Sequence, residues 1–310
     1  MPIVVHHKIQ KMAYKIAIAS GKGGTGKTTV SLNLYHFIQH NVCENVQLID
    51  CDVEEPNDAI FFPEAAVSNE EEIFQMIPKI DTDKCTFCRK CVDYCEYNAI
   101  VVIPPVQFAE VNASLCHSCG ACSIACEFGA ITEYPESIGK VSFYNTGIGI
   151  GLAEGKLKIG SAMQTLLIKE LKKRVSEEAD FIIFDAPPGT SCPVVETVAD
   201  VDYVVLVTEP TPFGVHDLKL MIDLLRDIKK PFGVVVNKAG LGNDEVYEFL
   251  DQENIELLGE IPFSQEYASQ YAKGELLSGV PYEMSEQYEQ ISRKLERRAE
   301  IYEGNNYFKW

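Results

Sequence analysis

Gly21-Lys22-Gly23-Gly24-Thr25-Gly26-Lys27-Thr28-Thr29 lies between an apolar run at residues 15–20 and a helical pattern at 27–40. Glycines there let backbone N–H groups wrap an anion, and the helix N-terminus adds its partial positive charge. A strand, a glycine loop, then Lys and a hydroxyl residue opening a helix form the phosphate-binding P-loop pattern. In such a loop Lys27 reaches the β- and γ-phosphates and Thr28 ligates Mg²⁺. A bare glycine turn is the competing reading, and the correct flanks on both sides disfavour it.

Outward from this loop, short runs rich in Val and Ile recur at residues 46–50, 181–185, 202–208 and 232–237. They fit strands buried on both faces of a parallel sheet. Helical patterns at 159–175 and 215–229 fall between them, and in the first Met163, Leu166, Leu167, Glu170 and Leu171 share one face. Residues 284–302 read as a polar amphipathic helix. The expected fold class is therefore α/β, a doubly wound, mostly parallel sheet.

Composition narrows the partners. The 310 residues are 46% apolar and 24% charged, and 27 Lys plus Arg against 46 Asp plus Glu give a formal charge of −19. Such a surface repels phosphate backbones and anionic lipid, so neither nucleic acid nor a membrane is the expected partner, whereas a basic protein face suits it. No apolar run approaches the roughly 18–20 residues that cross a bilayer. The apolar stretch at 14–20 runs straight into the glycine loop and reads as a strand, not a cleavable signal, so a cytoplasmic, reducing address is expected. Residues 1–13, with His6-His7, read as a ragged extension, and Met12 is an alternative start.

From about residue 81 to 133 the strand–helix rhythm breaks. Eight of the 11 cysteines fall here within 42 residues, in two copies offset by 31. Cys85, Cys88, Cys91 and Cys95 map onto Cys116, Cys119, Cys122 and Cys126, and the tails Glu96 with Ala99-Ile100 and Glu127 with Ala130-Ile131 match too. Period and spacing that repeat together mark two copies of one unit. In a reducing compartment these thiols are better read as metal ligands than as disulfides.

Both runs have the C-x₂-C-x₂-C-x₃-C spacing of bacterial ferredoxins, which hold two [4Fe–4S] clusters. Three thiolates from one run surround a cube and the fourth comes from the other. One cluster is thus expected on Cys85, Cys88, Cys91 and Cys126, the other on Cys116, Cys119, Cys122 and Cys95. Zinc is the competing ligand, which the doubled four-cysteine run disfavours. The bacterial pattern carries Pro after each fourth cysteine, where this chain has Glu96 and Glu127. If ionised, these carboxylates would lower the cluster potentials. The expected division is residues 1–80 and 136–310 for the nucleotide domain and 81–135 for a small inserted ferredoxin-like α+β domain.

With Lys22 included, the loop reads Lys-Gly-Gly-Thr-Gly-Lys-Thr-Thr and resembles the signature-lysine form found in the MinD/ParA/nitrogenase-iron-protein ATPases. The resemblance covers nearly everything after residue 13, including Asp52-Val53-Glu54-Glu55-Pro56-Asn57 and Glu209-Pro210-Thr211-Pro212-Phe213-Gly214. It implies ATP hydrolysis and ATP-dependent dimerisation, with Lys22 reaching the partner's nucleotide in a homodimer or a heterodimer with a paralogue. Asp50 and Asp52 end the second strand as in the switch I region, Asp52 being the one expected to face the γ-phosphate. Asp185, before Ala186-Pro187-Pro188-Gly189-Thr190, resembles the Walker B and switch II element; carboxylates so placed hold Mg²⁺ through water and orient the attacking water. Asn237-Lys238-Ala239-Gly240 is similar to the base-reading loop of GTPases, but Gly240 replaces the Asp that reads guanine. Hence ATP is expected, with Asn237 beside the adenine.

Three cysteines stand outside the repeat. Cys43 reads as a small apolar residue. Cys51 and Cys192 flank the switches, and two copies of each would supply four thiolates to a cluster shared across a dimer; buried non-ligand cysteines are the commoner alternative. The leading expectation is an ATPase that couples nucleotide state to electron transfer through two clusters, with a redox protein as partner. An assembly or metallocofactor-insertion factor is the alternative. MinD-like organisation at a membrane is disfavoured, because residues 284–302 lack a basic face and Tyr307-Phe308-Lys309-Trp310 is too short to anchor.

Overall fold

The structure, a computed structural model, describes residues 13–147 and 149–307. The N-terminal extension up to Met12 and the final Phe308-Lys309-Trp310 lie outside the described residues. Along the chain run β1 (Tyr14–Ala19), α1 (Lys27–Asn41), β2 (Val46–Asp50) and β3 (Ala66–Ile80), then α2 (Lys90–Asp93), β4 (Ile100–Ile103), β5 (Phe108–Val111) and α3 (Ala121–Ala125). The second half holds β6 (Ile131–Asn145), β7 (Gly151–Leu157), α4 (Gln164–Lys172), β8 (Phe181–Asp185), α5 (Cys192–Val198) and β9 (Tyr203–Thr208). It closes with α6 (Pro212–Asp227), β10 (Phe232–Ala239), α7 (Glu245–Gln252), β11 (Leu257–Pro262), α8 (Gln265–Lys273) and α9 (Tyr282–Tyr307).

Nine strands form one sheet in the order β11-β10-β9-β1-β8-β2-β7-β6-β3. From β11 to β7 every pairing is parallel; β6 runs antiparallel to both β7 and β3. The sheet is doubly wound and mostly parallel, as expected. Alternation on β1 shows how it is covered. Ile16 and Ile18 point into a core shared with α1, α8 and α9, while Ala17 and Ala19 point into the opposite core with α4, α5, α6 and α7. Strands buried on both faces need apolar residues at every position, which is why they were visible as continuous runs. Because α9 spends Tyr288, Ile291 and Leu295 on that core, its apolar face is taken up within the fold.

One expected helix is shorter than its pattern. Residues 159–163 form a loop, and α4 starts at Gln164 and ends at Lys172 rather than spanning 159–175. Gly160 lies at φ +86°, outside helical space, and the fully exposed Ile159 has no core to face.

The cysteine-rich segment hangs on the two longest strands. β6 pairs with β7 from Gly139 to Tyr144; past that point β3 and β6 continue alone as a two-stranded ribbon, from Phe74 opposite Ser137 to Ile80 opposite Ile131. A register shift between Ile73 and Phe74 marks where the ribbon leaves the sheet, the position where a bulge bends a strand. Between the ribbon's ends lie α2, α3 and the separate β4–β5 hairpin.

The sequence repeat is also a two-fold in space. Adding or subtracting 31 converts the ribbon pairs Ile80–Ile131 and Ile77–Tyr134 into the hairpin pairs Val111–Ile100 and Phe108–Ile103. It likewise converts the hydrogen bond from Asp81 N–H to Ala130 O (2.7 Å) into that from Asn112 N–H to Ala99 O (2.7 Å). Phe87 and Ser118, also 31 apart, both take positive φ, 55° and 56°. One hairpin of the repeat is thus the free hairpin, and the other is the tip of the main sheet.

Leu48, on β2, is fully buried in the core below α1. Leu48→Ala is expected to cost about 2–5 kcal/mol, seen as a lower midpoint in thermal unfolding with the ligand-free far-UV spectrum unchanged.

Candidate functional site: a nucleotide pocket and two thiol cavities

The P-loop connects β1 to α1 and frames a cavity of ≈ 360 Å³ lined by Lys22, Gly23, Gly24, Thr25, Gly26, Lys27, Thr28 and Thr29. Gly21 lies just outside it. Gly26 caps α1 at φ +88°, and a Cβ there would fall 2.1 Å from Asn237 Nδ2, so no side chain is admissible. Asn237 does line the cavity, but its amide donates to Thr25 O (2.7 Å), bracing the loop. Across the pocket stand Phe263, Tyr267, Tyr271 and Met284, an apolar wall suited to a purine face.

At the floor of the site Asp185, fully buried at the end of β8, gathers the opening of α1. Lys27 Nζ donates to its Oδ1 (2.9 Å), Thr28 Oγ1 to its Oδ2 (3.0 Å) and Ser31 Oγ to Oδ1 (2.8 Å). Burial alone would lower the Lys27 pKa, but the Asp185 carboxylate outweighs it and holds it above the usual lysine range. The residues fit Mg²⁺: adjacent oxygens around an octahedral ion with bonds of 2.0–2.1 Å lie about 2.9 Å apart, and Thr28 Oγ1 and Asp185 Oδ2 have nearly that spacing.

Asp50 and Asp52 separate in role. Asp52 lines the cavity; Asp50 does not. The Asp50 carboxylate turns inward and accepts the backbone N–H groups of Asp52 (2.9 Å), Asn57 (2.8 Å) and Asp58 (3.1 Å), so it folds the loop that presents Asp52. Burial, and then the neighbouring Asp185, push its pKa up to about 7. Two participants were not foreseen. Ser31 sits one helical turn after Lys27, a spacing that could have revealed it. Asp58 is fully buried, and neither carboxylate oxygen has a hydrogen-bond partner among the described residues; burial beside Asp50 and Asp185 holds it well above the ordinary carboxylate range. Only its place after a predicted strand hinted at it.

Lys22 is folded back onto its own chain. Its Nζ donates to Glu209 Oε1 (2.6 Å), and Lys238 Nζ donates to Glu209 Oε2 (3.0 Å) and to Gly24 O (2.8 Å). Burial would raise the Glu209 pKa, but the two lysines override it and hold it below the usual range.

In the repeat the eight thiols gather around two small cavities. One is walled by Cys85, Cys88, Cys91 and Cys126, the other by Cys95, Cys116, Cys119 and Cys122, the crosswise sets read from the spacing. Backbone N–H groups of Phe87, Ser118 and Ala99 point at Sγ of Cys85 (3.4 Å), Cys116 (3.4 Å) and Cys95 (3.3 Å). Among the described residues no three such side chains converge tightly enough for a single ion. Four sulfurs set around a cavity suit a polynuclear cluster better than the 2.3 Å zinc shell. The two following glutamates differ: Glu127 accepts from Lys90 Nζ (2.6 Å), whereas Glu96 has no ion pair among the described residues.

The two cysteines near the switches are placed differently: Cys51 is fully buried, with its thiol pKa pushed up by burial, while Cys192 is exposed at the start of α5.

Residues 16–277 match the CobQ/CobB/MinD/ParA nucleotide-binding domain, and the chain belongs to that family. It is a P-loop ATPase of the MinD/ParA kind. The uncharacterized protein MJ0578 of Methanocaldococcus jannaschii is 34% identical over 91% of this chain and 96% of its own length. An iron-sulfur cluster carrier protein of Pyrococcus furiosus is 24% identical over 83% of this chain and 77% of its own. The fold is shared with the septum site-determining protein MinD of Pyrococcus horikoshii, solved with Mg-ADP: TM-score 0.56 at 17% identity, covering 94% of this chain and 98% of that one. Among the described residues no helix is long and apolar enough to cross a membrane.

Lys27 is the cation set among Asp50, Asp58 and Asp185. A carboxyl whose folded pKa is raised contributes stability below its unfolded pKa, and that contribution is lost as pH rises through the folded value. For Asp50 the window runs from 3.8 to about 7. Lys27→Met is therefore expected to lose more stability at pH 8 than at pH 5 in metal- and nucleotide-free denaturant titrations; equal losses would refute the arrangement.

Proposed function

We propose that this ATPase couples its nucleotide state to electron transfer through two [4Fe–4S] clusters. The observation that carries the reading is the pair of crosswise four-thiol cavities, built on a ribbon continuous with the sheet that holds the P-loop. Residues 81–135 act as the inserted ferredoxin-type unit between nucleotide-domain segments 1–80 and 136–310. Clusters bound there would pass single electrons, and the exposed Cys88 and Cys119 mark the thin-walled sides where a redox partner can approach. The partner presents a basic face to this acidic chain.

At the nucleotide, Lys27 and the P-loop amides hold the phosphates, and Thr28 with Asp185 hold Mg²⁺. Asp52, presented by the loop that Asp50 folds, orients the attacking water. Asn237 keeps the loop shaped beside the adenine. Lys22 leaves Glu209 to reach the nucleotide of a second chain, an identical copy or a paralogue. The chain works in the cytoplasm, away from nucleic acid and membranes. A second reading, cluster assembly or insertion into another protein, is favoured by the likeness to the Pyrococcus furiosus carrier. Closed sites of four thiols each suit permanent clusters better than cargo.

Anaerobically purified protein is expected to hold about eight iron atoms per chain. EPR-monitored redox titrations should differ between nucleotide-free, MgADP and non-hydrolysable MgATP-analogue states by more than about 30 mV, roughly 0.7 kcal/mol for one electron. Identical potentials, with iron passing to an apo-acceptor on ATP addition, would establish the second reading in its place.

A further inference from the structure

The two cavities are symmetric in themselves but not in their distance from the nucleotide domain. The second is lined by Met76, Pro78 and Glu133, the first by Ile80 and Ile131. Counted from Ile73, where the ribbon leaves the sheet, Met76 is about 10 Å out and Ile80 about 23 Å at strand rise. We propose that the nucleotide state is relayed to the second cavity, that of Cys116, Cys119, Cys122 and Cys95, through residues 157–164, and that the first cavity is bypassed. This rests on the coupling reading above and names its route.

The relay begins at the loop that presents Asp52. Leu157 N–H donates to Val53 O (2.8 Å), and Gln164 Nε2 donates to Glu54 Oε1 (2.6 Å). Residues 157 and 164 therefore follow the switch I loop wherever the γ-phosphate draws it. Between them, 158–163 join β7 to α4, with Lys158 N–H bonded to Ile138 O (2.8 Å) on the ribbon's strand. This loop faces Ala113 and Ser114 across a polar crevice of ≈ 120 Å³. Ala113 O accepts the Cys116 N–H (3.2 Å), so the turn beyond the crevice carries the first thiol of the second cavity.

Two details make that seam able to shift while its far side stays attached. Gln75 lines the crevice, is 7% exposed, and its Oε1 has no partner among the described residues, so no hydrogen bond of the chain pins it across the seam. Next to it, Met76 N–H donates to Ser118 Oγ (2.7 Å) and Ser118 Oγ donates back to Met76 O (2.6 Å), tying the second thiol loop to β3. At the repeat-related position the first loop has Phe87, which offers no such hydroxyl.

The test uses the full-length, cluster-loaded protein, with hydrogen–deuterium exchange and EPR potentials measured in MgADP and in a non-hydrolysable MgATP analogue. Exchange is expected to change at 112–118 and 158–163 and not at 82–91, with one of the two potentials shifting. Gln164→Ala should lose both responses while keeping its iron content and ATP binding. Gln164→Glu, which sets a carboxylate against Glu54, should lose them too, and adding Glu54→Gln should restore them by re-forming an amide–carboxylate bond with the partners exchanged. Responses that persist in both Gln164 variants, or a change at 82–91, overturn the route alone. Potentials and exchange that ignore nucleotide in the unaltered chain overturn the coupling reading and the route with it.

Discussion

The buried carboxylate of Asp185 holds the nucleotide domain in register. It ends a central strand and receives Lys27, Thr28 and Ser31 from the first turns of α1. Without it the first turns of α1 would lose the acceptor that takes the Lys27 ammonium and the Thr28 and Ser31 hydroxyls together, a costly loss in low dielectric. That one carboxylate also sets the electrostatics of its surroundings. Burial raises the pKa values of Asp50 and Asp58, and the charge of Asp185 adds to both; the loop that Asp50 folds is the one that presents Asp52 to the P-loop cavity.

The parallel half of the fold was legible because each strand is covered on two faces and reads as an unbroken apolar run. The antiparallel half was not. In β3 Glu70, Glu71 and Glu72 stand consecutively, and β7 contains Gly151 and Gly155; neither offers a period-2 pattern or a dense run of Val and Ile. What fixes them as strands is pairing, β3 with the distant β6 and β7 with both its neighbour β6 and the distant β2, which no local window reports. The grouping of the eight thiols around two cavities, by contrast, follows the crosswise spacing of the runs, because that spacing is a local property and the repeat supplies the symmetry.

Within the nucleotide site, the P-loop residues that line the cavity carried a recognisable motif, while those that brace the loop did not. Ser31, Asp58 and the Glu209–Lys238 pair act through geometry that only the assembled sheet creates. Asn237 shows the converse. Its position on β10 was legible, but its side chain is engaged with Thr25 O, where it braces the P-loop from within. The symmetric repeat and its asymmetric attachment make the same point: one sequence unit, used twice, meets two different mechanical environments because only one of its hairpins is shared with the main sheet.

Placing β3 outermost has a consequence for how copies of this chain can meet. An outer strand of fifteen residues with its peptide groups turned outward is a template on which a second sheet could grow. Here its middle is a run of three glutamates, one paired with Lys140 and one with Arg174, and a second copy would have to align the same charges against them. Edge-to-edge growth is thereby discouraged over the part of the strand nearest the body.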